Sequence, residues 1–315
     1  MSFRGMNLRQ MLYIRQLQKK DTWLNEHEIP GGRIRRNKTV YIIRRSGKKL
    51  GLFSYVVTCL PRIIYALEND MIPVVDMCNY DNSLKKTLAD NPWDDYFVQP
   101  GGLSLEEAYK SKSIIISDAG IPDNRPCDDT EFLSGKNGEL DYWRERFAEN
   151  IKIREEVKKR ADLRFSELGL EGERVLGVLA RGTDYLSLKP SGHPVQPQAD
   201  QIIEKVIKEI ERQHFTKVFL ATEDAMIADL FRSQIGEKCV INDKAYIDYK
   251  GDYLAYEGNQ KQINDNDKNL DYVINMIILS RCDGIIAGRT SGTVGAALMS
   301  ENWEYSHFFD LGTYE

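Results

Sequence analysis

The sequence predicts an α/β fold with mainly parallel sheets, divided between two domains. Three observations lead there. Short runs are apolar on both faces, amphipathic helical patterns separate them, and the chain has 315 residues, whereas single domains usually span about 100 to 200. Strands apolar on both faces and joined by helices form a parallel sheet covered on both sides, because right-handed crossovers place helices on its faces. There is no internal repeat and no low-complexity tract.

The pattern is clearest in the C-terminal half. Val175 to Ala180, Lys217 to Thr222, Lys238 to Asn242 and Asp283 to Gly288 are apolar runs of strand length, with a closing strand at Ser306 to Leu311. Between the first two, Ile202, Ile203, Val206, Ile207 and Ile210 recur at helical spacing, while Glu204, Lys205, Lys208 and Glu209 fill the opposite face. Ala225 to Gln234, the stretch carrying Leu270, Val273, Ile274, Ile277 and Ile278, and Gly292 to Ser300 supply the other helices. This half reads as Rossmann-like.

The N-terminal half repeats the scheme more loosely. Val40 to Arg45, Ile72 to Met77 and Ser113 to Asp118 are strands, a helix runs from about Phe53 to Asn69, and Ser104 with Glu107 forms a capping box. The charged stretch Gly138 to Leu168, with Trp143, Phe147, Val157 and Ala161 at helical intervals, reads as one or two bridging helices. The domains are therefore placed at 1–168 and 169–315.

Composition narrows the function classes. A formal net charge of -5 and a pI near 5.6 argue against nucleic acid as a partner. Cys59, Cys78, Cys127, Cys239 and Cys282 are odd in number and scattered, with no metal-ligand spacing, and read as reduced thiols. Arg9, Gln10, Arg15 and Gln16 flank the apolar residues near the start too closely for a secretory segment. No apolar run approaches the roughly 18 to 20 residues that cross a bilayer. Together these features point to a soluble protein of the cytoplasm.

Ligands of open parallel sheets bind at the C-terminal ends of strands, and four polar clusters stand at such ends: Arg181 to Tyr185, Thr222-Glu223-Asp224, Arg289 to Thr293, and Gly47 to Leu52. Arg181 directly follows an apolar strand, and its guanidinium fork suits two oxygens of a diphosphate. A structural ion pair with Asp184 or another carboxylate is the alternative. Thr290-Ser291-Gly292-Thr293 opens a helix, where free amides and the helix dipole favour an anion, unless Ser291 is only a cap. The glycine loop at 47–51 lacks the spacing of the known phosphate loops.

Asp184, Glu223, Asp224 and Asp271 are candidate acids for taking a hydroxyl proton or reading a purine edge, or else caps and ion-pair partners. Asp265-Asn266-Asp267 has the form of a metal-binding DxD but lies in a polar stretch that reads as a solvated loop. Arg33, Arg35, Arg36, Lys38, Arg44, Arg45, Lys48 and Lys49 make a basic stretch, read as a solvated face or as a peripheral contact for anionic headgroups or a phosphorylated acceptor. His193, beside Pro194, reads as shaping a turn.

In order and spacing these clusters resemble the three motifs of the α1,6-fucosyltransferase and protein O-fucosyltransferase superfamily. The first is VLGVLARGTDYLSLKPSGHP (175–194), the second VFLATED (218–224), and the third LDYVINMIILSRCDGIIAGRTSGTVGAALM (270–299). The stretch 41–77 is similar to the family's opening strand, Gly-rich loop and helix. The departures are Leu179 for a histidine, Gly182 for a second arginine, and Lys189 for a carboxylate.

The resemblance implies a GT-B fold of two facing Rossmann-like domains, the C-terminal one on the nucleotide-sugar side and the N-terminal one on the acceptor side. It implies GDP-fucose as co-substrate, inversion at the anomeric carbon, and neither metal nor cofactor. Arg181 would hold the β-phosphate with Ser291 or Thr290, and Asp271 would read guanine. The loop at Gly51 and Leu52 would approach from the other domain. Thr222, Glu223, Asp224, Gly292 and Thr293 complete the donor set, and Asp184 is the candidate acceptor base.

The expected activity is transfer of fucose or a related sugar to a saccharide or lipid-linked saccharide, in bacterial surface-polysaccharide assembly at the inner face of the membrane. The rivals are a transferase using another nucleotide sugar, one that binds metal through Asp265 and Asp267, and a non-catalytic nucleotide or saccharide binder.

Overall fold

A computed structural model describes residues 3–45, 47, 50–80, 82, 84–85, 87, 90–182, 188–242 and 265–315. The chain divides into two compact units, residues 1–125 with 146–154, and residues 126–145 with 155–315.

Unit 1 holds strands β1 (His27–Ile29), β2 (Val40–Ile43), β3 (Ile72–Val75) and β4 (Ile114–Ile116) in the order β1-β4-β2-β3. β2 runs parallel to β3 and β4, while β1 closes one edge antiparallel to β4. Helix α1 (Leu8–Leu17) starts in a capping box between Asn7 and Gln10. Helix α2 (Leu52–Glu68) follows β2, and the short α3 (Pro92–Tyr96) and α4 (Leu105–Tyr109) follow β3. The Ser104–Glu107 capping box opens α4 as expected. One core gathers Ile14, Val40, Ile42, Val74, Tyr109 and Ile116.

Unit 2 contains helices α5 (Thr130–Leu133), α6 (Glu139–Asn150) and α7 (Glu155–Glu167), followed by a sheet and its crossovers. Some residues of α6 and the whole segment to Arg154 count with unit 1. The strands are β5 (Val175–Leu179), β6 (Lys217–Ala221), β7 (Cys239–Ile241), β8 (Gly284–Ala287) and β9 (Tyr305–Phe308). All pairs are parallel and the order is β7-β6-β5-β8-β9. The crossovers are α8 (Ala199–Gln213), α9 (Ala225–Ile235), α10 (Asp265–Arg281) and α11 (Ser291–Met299). The order reverses between β5 and β8, which is the switch point where doubly wound sheets open a ligand crevice.

The partition differs from the boundary at Leu168 to Glu173. Helix α7 belongs to unit 2, where Asp162 pairs with Arg281 at the end of α10 (2.7 Å). The short segment before it belongs to unit 1, because Val98 N–H donates to Lys152 O (2.8 Å) and Arg154 N–H to Tyr96 O (2.9 Å). Helical periodicity tells that a face is buried, not which sheet covers it.

The basic stretch also resolves differently from a uniform solvated face. Arg44 and Arg45 are buried. Arg44 donates to Ser117 O (2.8 Å), Trp23 O (2.7 Å) and Asn25 O (2.9 Å), and its guanidinium lies 4.2 Å from the Trp23 ring centre. These bonds tie the C-terminal end of β2 to the loop before β1. Lys38 pairs with Asp70 (2.5 Å), and Lys48 and Lys49 lie outside the described residues. Among the described residues, no helix is long and apolar enough to cross a membrane.

Candidate functional site

The register of the unit 2 sheet decides which side chains meet. Leu179 of β5 stands opposite Ala221 of β6 and opposite Ala287 of β8. Three neighbouring parallel strands therefore finish at the same level, at roughly 5 Å spacing. The next residues, Ala180-Arg181, Thr222 and Gly288-Arg289-Thr290, form one row along the C-terminal edge. Ala180 N–H still donates to Ala221 O (3.0 Å), so the backbone is fixed up to the residue before Arg181. Arg181 itself is half-buried and Gly182 is buried.

The second cluster is largely a helix start. Asp224 is the N-cap of α9, its Oδ1 accepting from Met226 N–H (2.8 Å) and Ile227 N–H (3.2 Å). Thr222 is buried and its hydroxyl accepts from Asp224 N–H (3.2 Å), while Glu223 is half-buried.

In the third cluster the cap is Thr290, not Ser291. The Thr290 hydroxyl accepts from Thr293 N–H (3.1 Å), lies 3.0 Å from Thr293 Oγ1, and Thr293 Oγ1 donates to Gly288 O (2.6 Å). Both hydroxyls are thus spent inside the turn. What remains at the start of α11 are the amides of Ser291 and Gly292, which have no acceptor among the described residues. A nine-residue helix carries a partial positive charge at this end. Gly292 sits under the Tyr272 hydroxyl, which would be 2.5 Å from an added Cβ.

Arg289 anchors the same turn. It donates to Asp128 O (2.9 Å) and pairs with Asp310 (2.8 Å), so its charge is used within unit 2. Near this anchor, Cys127 donates its thiol hydrogen to Asp129 Oδ2 (2.6 Å). Burial and that hydrogen bond push its pKa up to about 12, which disfavours the thiolate form.

Asp271 is buried early in α10, one turn before Asn275, whose Oδ1 accepts from Asn242 Nδ2 (2.9 Å) at the end of β7. Asp265, Asn266 and Asp267 open α10 instead of lying in a loop. The polar composition concealed a helix start there. Among the described residues, no group of His, Cys, Asp and Glu has the arrangement of a metal site.

Of the remaining predicted residues, Asp184 lies outside the described residues. Gly51 is the N-cap of α2 in unit 1, with nothing within 4 Å of an added Cβ, and Leu52 behind it is buried. Lys189 is exposed with a left-handed φ of 45°. His193 closes a turn, donating its N–H to Pro190 O (3.1 Å).

Sequence reasoning missed Gln196. It is buried, and its Nε2 donates to Pro194 O (3.1 Å) and Arg289 O (3.0 Å). It thereby braces the β8 turn from the segment that follows the first motif. A glutamine just before Pro197, two residues past the His-Pro of that motif, was the available signal.

No protein-family model matches the chain, and no curated protein matches it significantly. Solved structures do. The chain superimposes on NodZ alpha-1,6-fucosyltransferase co-crystallised with GDP at a TM-score of 0.50 and 16% identity, over 84% of this chain and 93% of that one. Fucosyltransferase NodZ from Bradyrhizobium gives 0.50 and 16% over 87% and 96%. POFUT1 in complex with GDP gives 0.47 and 11% over 87% and 99%.

The chain has the NodZ fold. That is the GT-B class of α/β protein with mainly parallel sheets, as expected from the sequence.

Proposed function

We propose that this protein transfers fucose, or a related sugar, from a GDP-sugar to a saccharide hydroxyl, inverting the anomeric centre without a metal, in surface-polysaccharide synthesis. The observation that carries the reading is the common finish of β5, β6 and β8, which sets Arg181 and the α11 start on either side of the sheet's switch point. NodZ, whose fold the chain has, was crystallised with GDP.

In this reading unit 2 takes the donor. Arg181 and the amides of Ser291 and Gly292 grip the β-phosphate, Thr222 and Glu223 line the row between them and β6, and Asp271 accepts from the base edge. The acceptor oxygen bonds to the anomeric carbon as the bond from that carbon to the phosphate oxygen breaks. The hydroxyl proton passes to the Asp184 carboxylate, and the electron pair leaves on GDP. Preorganised donors aimed at that developing charge lower the barrier. Asp224 contributes by fixing α9, Thr290 and Thr293 by fixing the turn. The acceptor falls to unit 1.

Calorimetric titration with GDP, UDP and ADP tests the donor. GDP should bind most tightly, and Arg181→Ala should abolish its binding while the melting temperature stays unchanged. Undiminished GDP affinity in that variant, or a preference for UDP, would overturn the assignment. Release of GDP from GDP-fucose only in the presence of an acceptor separates a transferase from a binder.

A further inference from the structure

Unit 1 has an open cavity of about 450 Å³ that the reading of unit 2 does not use. Its walls come from Glu28 of β1, Arg35 and Arg36, and Lys112 and Ser113 just before β4. Because β2, β3 and β4 run parallel, residues preceding β4 lie at the opposite end of the sheet from the strand C-termini.

The cavity is built by a close backbone approach. A Cβ on Gly31 would lie 1.7 Å from Lys112 O, and one on Gly32 would lie 2.2 Å from Lys110 O, so only glycine fits at either place. Gly32 N–H donates to Ser111 O (2.7 Å), Ile34 N–H to Lys110 O (2.9 Å), and Lys112 N–H to Ile34 O (2.7 Å). The segment is strapped beside the chain entering β4, which brings Arg35 and Arg36 up to Lys112. Arg36 is held further by its Nε donating to Ser111 Oγ (2.8 Å). Neither Arg35 nor Lys112 has an ion-pair partner among the described residues.

Three cations thus line one cavity with a single carboxylate, Glu28, while the Glu107 carboxylate outside it also acts on Arg36. Backbone bonds fix the chain positions from which these like charges project, and an anion bound among them would lower their mutual repulsion. The Arg35 fork, the Lys112 ammonium and the guanidinium N–H groups of Arg36 not used on Ser111 and Glu107 offer more donors than one carboxylate ligand can accept, and they match the several oxygens of a phosphate. The volume is in the range of small-molecule sites.

We propose that this cavity binds a phosphate group, carried by a soluble diphosphate or by a lipid headgroup. The site is independent of the donor assignment in unit 2. The test uses the full chain with GDP present, titrated with inorganic pyrophosphate, and in parallel sedimented with phosphatidylcholine vesicles with or without phosphatidic acid. Arg35→Gln and Lys112→Gln remove exposed cavity charges, and Arg33→Gln removes a neighbouring exposed charge that does not line it.

Pyrophosphate should bind, and each cavity variant should weaken it about tenfold or more, the worth of a charge-assisted phosphate contact, with Arg33→Gln unchanged. Binding to phosphatidic-acid vesicles alone, lost in the same two variants, would also support the site and assign the phosphate to a lipid. The proposal is overturned if neither probe binds, if the cavity variants bind as wild type does, or if Arg33→Gln weakens binding equally.

Discussion

Gly182 lies against the capping carboxylate of Asp224: a Cβ at position 182 would come within 2.6 Å of Asp224 Oδ2 and 2.6 Å of Ile227 Cδ1. Asp224 cannot swing away without releasing two amides of α9. Glycine at this position therefore has a steric reason. Any side chain after Arg181 would displace the start of α9. Gly182→Ala is expected to cost about 1 to 3 kcal/mol, the usual penalty for overpacking. Urea unfolding measures it, and an unchanged midpoint would show that the cap yields freely.

Arg44 should matter for stability and not for anion binding, although it belongs to the same basic stretch as Arg35. Its side chain satisfies three carbonyls inside unit 1 and is 1% exposed. Arg44→Ala leaves those acceptors buried without donors and removes the stack on Trp23, at an expected cost of about 3 to 5 kcal/mol. Thermal melting of the variant checks this. A loss below 1 kcal/mol, on the order of a surface substitution, would contradict the packing described.

These two residues also mark how far the sequence could be read. The parallel sheet of unit 2 was legible because its strands are apolar on both faces and its helices show clean 3.6-residue periodicity, as in Ile202, Ile203 and Val206. The register that aligns Leu179, Ala221 and Ala287 was not, since pairing level depends on loop geometry and on cross-strand packing. Helix α1 and strand β1 went unread because one begins in a polar cap at Asn7 and the other is three residues long. Arg44 looked like a surface charge because composition cannot show that Trp23 and Ser117 enclose it. In the site, Arg181 and the α11 start stood out by following apolar runs. Gln196 acts only through a tertiary contact.

Arg181→Lys separates charge from shape. A lysine keeps the positive charge but has no planar fork to pair two phosphate oxygens. If Arg181 grips the β-phosphate, the lysine variant should lose about 10²-fold or more in kcat/KM, on the scale of removing one preorganised donor. Steady-state kinetics with GDP-fucose and chelator in excess measure this and test metal independence together. Near-normal turnover by the variant would mean that position 181 supplies only charge, and activity abolished by chelator would reject a metal-free mechanism.

Thr290→Ala should destabilise the protein and weaken donor binding together. The hydroxyl caps α11 through Thr293 N–H and meets Thr293 Oγ1 in a buried turn. Its removal is expected to cost about 1 to 2 kcal/mol, while Thr290→Ser keeps the oxygen and restores most of the loss. If GDP affinity fell with no change in melting temperature, Thr290 would be a direct ligand and not a brace.

Helix α8 of unit 2 provides a pH signature at residues that are not part of the proposed site. Glu209 on α8 is buried and accepts from Lys205 Nζ (3.0 Å), with Arg212 3.7 Å away. Burial works to raise the Glu209 carboxyl, but the hydrogen bond and charge of Lys205, with Gln213 and Arg212, outweigh it and hold the pKa below the usual carboxylate value. A depressed acid contributes stability that is present above its unfolded pKa and is lost as pH falls through the folded one. Burial opposes the charge of Lys205, yet its hydrogen bonds to Glu209 and Tyr305 raise its pKa. Its contribution is present below the unfolded lysine pKa and disappears as pH rises through the folded value. Melting temperature against pH should thus decline on both limbs, and Glu209→Gln should flatten the acid limb most. Parallel acid limbs in the two proteins would show that the pair is uncoupled from folding.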